Sequence, residues 1–260
     1  MFPETPRMIY GKKPSEEVIL QLRFPTILRV DAEPPASFQE VIRNEYPNFQ
    51  EKSQAGLPPG FPPQISRLLG GGFTFGIAKA YEFISSDKLW TVHLDRDSLT
   101  LTTRDYTRWE EFKKRFGLPF KALCEVYRPL HFSRIGLRYR DVIDRDKLGL
   151  AESPWSELLN HHVAAELASS EISSLIQQAA HQVVIRDPNG KMQVFLQHGL
   201  SQPNPESQNC YFIDGDFSVD TETGIDDAQV AFDAFNSEAR RLFRWCISKK
   251  LHDALDPQRA

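Results

Sequence analysis

The first regular pattern in the chain is "EEVILQLRF" at 16–24, where Val18, Leu20, Leu22 and Phe24 alternate with Glu17, Ile19, Gln21 and Arg23. A period of two predicts a half-buried strand, and Pro25 closes it. Phe38, Val41, Ile42 and Tyr46 then recur at helical spacing, with Ser37 and Glu40 placed as a capping box and Pro47 as the limit. Three short strands are predicted at 80–86, 89–95 and 98–103, with "SSD" and "DRD" as turns between them. A helix follows with Trp109, Phe112 and Phe116 on one face. Thr107 and Glu110 open it as a second capping box, and Gly117 and Pro119 are expected to kink or divide it.

The remainder repeats that order. A strand is predicted at 132–143 and a helix at 153–169, capped by Ser153 with Pro154 in its first turn. Strands at 177–186 and 191–199 flank the turn "DPNG", and another strand lies at 210–220. A long helix at 226–255 carries Ala231, Phe235, Ala239, Leu242, Cys246 and Leu251 on one stripe. The pattern predicts an α+β fold: a largely antiparallel sheet with helices on one face, made by internal duplication of a βαβββα unit. The first unit would occupy 1–130 and the second 131–260, within one continuous domain. Both units begin with Leu-Arg-aromatic, at Leu22-Arg23-Phe24 and Leu137-Arg138-Tyr139. The stretch 54–76, rich in proline and glycine, reads as a long loop; its triple glycine lacks the Lys-Ser/Thr of a phosphate-binding loop.

Composition narrows the function classes. A net charge of −4 gives no global reason to bind nucleic acid, but the charges are unevenly spread. Residues 104–147 hold twelve Lys/Arg against seven Asp/Glu, and 206–238 hold nine acids with no Lys or Arg. Cys124, Cys210 and Cys246 form no metal-binding or disulfide pattern. No apolar run approaches a membrane span, so the expected setting is the cytoplasm, without membrane contact.

The strand at 132–143 poses the sharpest chemical question. In "RIGLRYRD", Ile135, Leu137 and Tyr139 take one face, whereas Arg134, Gly136, Arg138 and Arg140 take the other. Arg23 stands at the equivalent place in the first unit. Gly136 would leave a gap between two guanidiniums where a ligand could approach. The strand "YFIDGDFSVD" offers the complement, with Asp214 and Asp216 on a single face.

Either the two strands are neighbours that neutralise one another, or Arg23, Arg134, Arg138 and Arg140 bind a ligand or partner. In the second case Asp214 and Asp216 could hold Mg²⁺ or Mn²⁺ beside a small phosphorylated ligand. The histidines lack ligand spacing, and no G-x-S-x-G elbow is present.

"QLRFP" (21–25), "FQEVIRNEYP" (38–47), "RIGLRY" (134–139) and "YFIDGDF" (211–217) together resemble an uncharacterised, sporadically distributed family of bacterial and archaeal proteins of about this length. The resemblance carries no catalytic residues with it. What it implies is a horizontally moving accessory or host-defence gene. The leading expectation is therefore a non-catalytic binding or interaction protein, without a cofactor, that works with another protein. The alternatives are a metal-dependent phosphate-ester or nucleotide-processing enzyme and, less favoured by the charge, a nucleic-acid-binding protein.

Overall fold

The computed structural model describes residues 1–54, 78–201 and 210–259. The loop expected at 54–76 lies, beyond Gln54, outside the described residues. Eleven strands are described: β1 Met8–Tyr10, β2 Ser15–Arg23, β3 Asn48–Gln54, β4 Ala78–Ile84, β5 Trp90–Asp95, β6 Ser98–Thr103, β7 Arg134–Ile143, β8 Ala179–Arg186, β9 Gln193–Ser201, β10 Cys210–Val219 and β11 Pro257–Arg259. The helices are α1 Arg29–Ala32, α2 Ala36–Ile42, α3 Trp109–Val126, α4 Arg145–Leu148, α5 Trp155–Leu158, α6 His161–Ala164, α7 Ile225–Cys246 and α8 Lys249–Ala254. None of them is long and apolar enough to cross a membrane.

Nine strands form one antiparallel sheet in the order β3-β4-β5-β6-β2-β7-β10-β9-β8, as the α+β reading requires. Its centre is the β2–β7 seam, where Leu20 lies opposite Leu137 and Leu22 opposite Ile135. From that seam the halves run outward alike. β2 is followed by β6, β5 and β4; β7 is followed by β10, β9 and β8. In each half the last strand of a three-strand meander returns beside the entering strand. Within the sheet the first half departs from βαβββα by one strand, since β3 adds an edge outside β4; β1 and α1 are further additions outside it. The β3 sequence, NFQEKSQ, has a single apolar side chain, so no alternation announced it. Polar, charged composition suits an edge, where it discourages pairing with other chains.

Period-two alternation places Val18, Leu20, Leu22, Ile135, Leu137, Tyr139, Tyr211, Ile213 and Phe217 on the helix-covered face, all buried. Each large apolar side chain so enclosed contributes roughly 1.5–3 kcal/mol. α7 crosses β7 and β10, and α2 packs on α3. The Trp109 indole donates to Asp233 at 2.6 Å, tying the start of α3 to α7.

Ser37, Thr107 and Ser153 do not cap their helices, whose N-cap positions are Pro35, Arg108 and Pro154, and three helix extents change. α3 runs unbroken through Gly117 and Pro119. A proline there has no N–H for the carbonyl of Arg115, and the Tyr46 hydroxyl donates to that carbonyl instead at 3.3 Å. The helix expected at 153–169 is broken into α5, α6 and a 3-10 turn. Asn160 causes the break: its amide donates to the carbonyls of Trp245 and Ile247 at 2.8 and 3.0 Å, and its backbone N–H to that of Cys246. Satisfying the end of α7 outweighs continuing a local helix. For the same reason the last helix stops at Cys246, and Ser248 caps a separate α8.

Candidate functional site

The face of the sheet turned away from the helices carries the charged residues singled out from sequence. Arg134, Arg138 and Arg140 do share it, with Arg23 directly opposite Arg134 across the seam. β10 lies beside β7, so Asp214 and Asp216 meet the arginines at once. Arg138 grips Asp214 with two hydrogen bonds, Nε to Oδ1 at 2.7 Å and Nη2 to Oδ2 at 2.5 Å. Arg134 donates to Asp216 at 2.8 Å and lies 3.1 Å from Asp220. Arg140 is 3.4 Å from Glu16.

The Arg138 contact runs diagonally across the ladder, to a carboxylate two positions from its register partner Asp216. Hydrogen bonding to Asp214 raises the Arg138 guanidinium above its ordinary value. The gap expected over Gly136 is filled. A Cβ built there would lie 2.5 Å from Arg134 Nη1, because that guanidinium folds across the glycine. Nor do Asp214 and Asp216 stand ready for a cation: both already accept from arginine, and no group of three or more metal-ligating side chains occurs among the described residues.

The histidines far apart in sequence partly converge. His181 and His198 are register partners whose rings stack at 5.1 Å, and Glu166 lies 3.0 Å from His181. His198 meets the Tyr211 hydroxyl at 2.7 Å. Burial and the neighbouring His181 pull its pKa down to about 4.

A second polar constellation, absent from the expectations, lies on the helix side. A cavity of about 100 Å³ opens between β7, α7, the 106–109 turn and the segment 5–15. That segment is held firmly. Phe2 is buried against Trp245 and donates its N–H to Glu238, and β1 pairs with β11. At its far end the Ser15 hydroxyl donates to Asp141 at 2.6 Å.

Asp141 continues the inward period of Ile135, Leu137 and Tyr139, which turns a carboxyl into the core at 7% exposure. Burial pushes its pKa up to about 7, and the Ser15 hydrogen bond only partly opposes this. Tyr139 donates to Asn236 Oδ1 at 3.1 Å and sits 3.2 Å from the Tyr106 hydroxyl. Burial raises Tyr106 to about 12 and Tyr139 well above its ordinary value, so both phenols keep their protons at neutral pH.

Asn236, Arg240 and Arg244 recur every fourth residue along α7 and line one wall of this cavity. Neither arginine forms an ion pair among the described residues. Arg240 Nε and Arg244 Nη1 are buried without a hydrogen-bond partner. Burial and the nearby Arg7 pull the Arg240 guanidinium below its ordinary value. The signals were present in the sequence: a carboxylate at an inward strand position, and arginines four apart beside an apolar stripe. They gained meaning only once segment 5–15 was seen to roof them. No protein-family model and no curated protein matches the chain.

Proposed function

We propose that this protein is a non-catalytic binding protein whose ligand site is the cavity beneath segment 5–15. The observation that carries the reading is the convergence of polar side chains from β7, α7 and residues 106–109 on one partly open cavity of about 100 Å³. The residues that would run phosphate chemistry on the opposite face are engaged with one another. A metal at Asp214 would have to displace a bidentate arginine, which counts against the metal-dependent phosphate-ester or nucleotide-processing alternative. The acidic net charge and paired arginines likewise disfavour nucleic-acid binding.

A protein partner, and a place in an accessory or host-defence system, rest on the resemblance carried by the LRFP and GLRY motifs. Native mass spectrometry on protein purified gently from its own host tests the proposal. The expected result is a retained small mass, with or without a second protein. Mg²⁺-dependent hydrolysis of a phosphate ester, lost on Asp214→Asn or Asp216→Asn, would overturn it.

A further inference from the structure

Charge in the cavity is unbalanced. Of the cations lining it, Arg7 is paired with Glu110, Lys13 with Asp105, and Arg108 is exposed to solvent. Arg240 and Arg244 have no carboxylate partner among the described residues. Asp141 lines the same cavity but does not supply one. The groups acting on its carboxyl are Ser15 and Asp214, while those acting on Arg240 are Arg7, Arg241 and the phenols of Tyr106 and Tyr139. Asp141 forms no ion pair with either arginine among the described residues, although it shares the Tyr139 phenol with Arg240 and the Tyr10 phenol with Arg244 as neighbours.

Two half-buried guanidiniums, one turn apart on a single helix, lose hydration and form no ion pair among the described residues; Asp253 acts on Arg244 only from a distance, and Arg240 Nε and Arg244 Nη1 stay without a hydrogen-bond partner. A buried donor left unpaired is costly, and folded proteins rarely retain one without a role for it. Water could satisfy the nitrogens but could not offset the charge. An oxyanion does both, since guanidinium and carboxylate or phosphate match in geometry.

Resting on the cavity as ligand site, we propose that its ligand is a small organic oxyanion, a phosphate or carboxylate on a compact apolar body, held by Arg240 and Arg244. The apolar body is called for by the rest of the lining: Met8, Ile9, Ala239, Phe243 and the rings of Tyr106 and Trp109. A cavity of about 100 Å³ is several times the space one water needs. The Tyr106 phenol, protonated and near Arg240, can donate to the same anion, while the Tyr139 proton is engaged with Asn236.

Isothermal titration calorimetry on the full chain, with phenyl phosphate, benzoate, inorganic phosphate and benzyl alcohol as probes, tests this. Phenyl phosphate or benzoate should bind, more tightly than inorganic phosphate, and benzyl alcohol should bind at least tenfold more weakly, about the value of one charge-assisted hydrogen bond. Which of the two aryl anions wins separates phosphate from carboxylate.

Arg240→Gln and Arg244→Gln should each weaken that binding about tenfold or more, while Lys147→Gln, exposed and away from the cavity, should leave it unchanged. Arg240→Lys, which keeps the charge but loses the fork, should fall between. Neither glutamine variant should lower the melting temperature, because each removes an uncompensated charge; added phenyl phosphate should raise it in the native chain alone. Benzyl alcohol binding as tightly as the anions would overturn the oxyanion assignment and leave the cavity as a ligand site. Binding of no probe, or equal binding by the native chain and both glutamine variants, would overturn it outright.

Discussion

Replacing Asp141 by Asn isolates the energetics of the cavity carboxyl. Burial raises its pKa from 3.8 to about 7. The folded state therefore holds the proton more tightly than the unfolded chain does. The stabilisation is fully present below about pH 4 and is lost as pH rises through the folded value near 7. At ~1.4 kcal/mol for each tenfold change, the full window is worth about 4 kcal/mol, of which roughly 2.5 kcal/mol falls between pH 5 and pH 8. Asparagine has nearly the same shape, keeps an oxygen to accept from Ser15, and does not titrate. Urea unfolding of both proteins at pH 5, 6, 7 and 8 gives the stability difference at each pH. That difference should move in favour of Asp141→Asn by about 2–3 kcal/mol from pH 5 to pH 8. A difference that stays constant across those pH values would refute the argument that this carboxyl is buried without a compensating charge.

The other expectations concern the paired and buried groups elsewhere. Arg138→Met leaves Asp214, only 7% exposed, without its bidentate partner, and should cost about 3–5 kcal/mol in urea unfolding. Most of that should return in the double variant with Asp214→Leu; an equal loss in the double variant would mean packing, not charge, is at stake. His198→Gln tests the opposite pH slope. The unfolded ring takes its proton near 6.5 and the folded ring only near 4, so stability is lost as pH falls through that range, by up to about 3 kcal/mol. Thermal melts from pH 7 to pH 4 should show a shallower acid decline in the variant than in the native chain.

Most of the sheet was legible because its strands are half-buried, and half-buried strands must alternate. β2, β7 and β10 each carry that alternation, and parity put the arginines and the aspartates each on a single face, while leaving open whether they pair with one another. What could not be read was set by contacts across long stretches of chain. The break at Asn160 depends on the end of α7, which is fixed only in the folded state. The unbroken run through Pro119 depends on Tyr46, from the turn that follows α2. β3 was invisible because an edge strand needs few apolar side chains. The cavity was hidden for a related reason: Asp141, Tyr106 and Arg240 have no mutual spacing in sequence. They are gathered by the crossing of α7 over β7 and by the short β1–β11 pairing that holds the roof in place.

The β2–β7 seam also bears on how the chain is made. Gln21 and Arg134 are bonded across it yet stand 113 residues apart, so when β2 leaves the ribosome its partner on that side has not been synthesised. β6 arrives earlier and can pair with the opposite edge, which lets the first half gather with β2 as a bare margin. Contacts of such long range form slowly, and an unpaired strand edge is where nascent chains join one another instead. β2 meets that hazard with Glu17 and Arg23 on its polar face, charges that hinder edge-to-edge pairing with another copy. The side chains at the join thus have two successive duties: guarding an open margin during synthesis, then lying at the centre of the completed sheet.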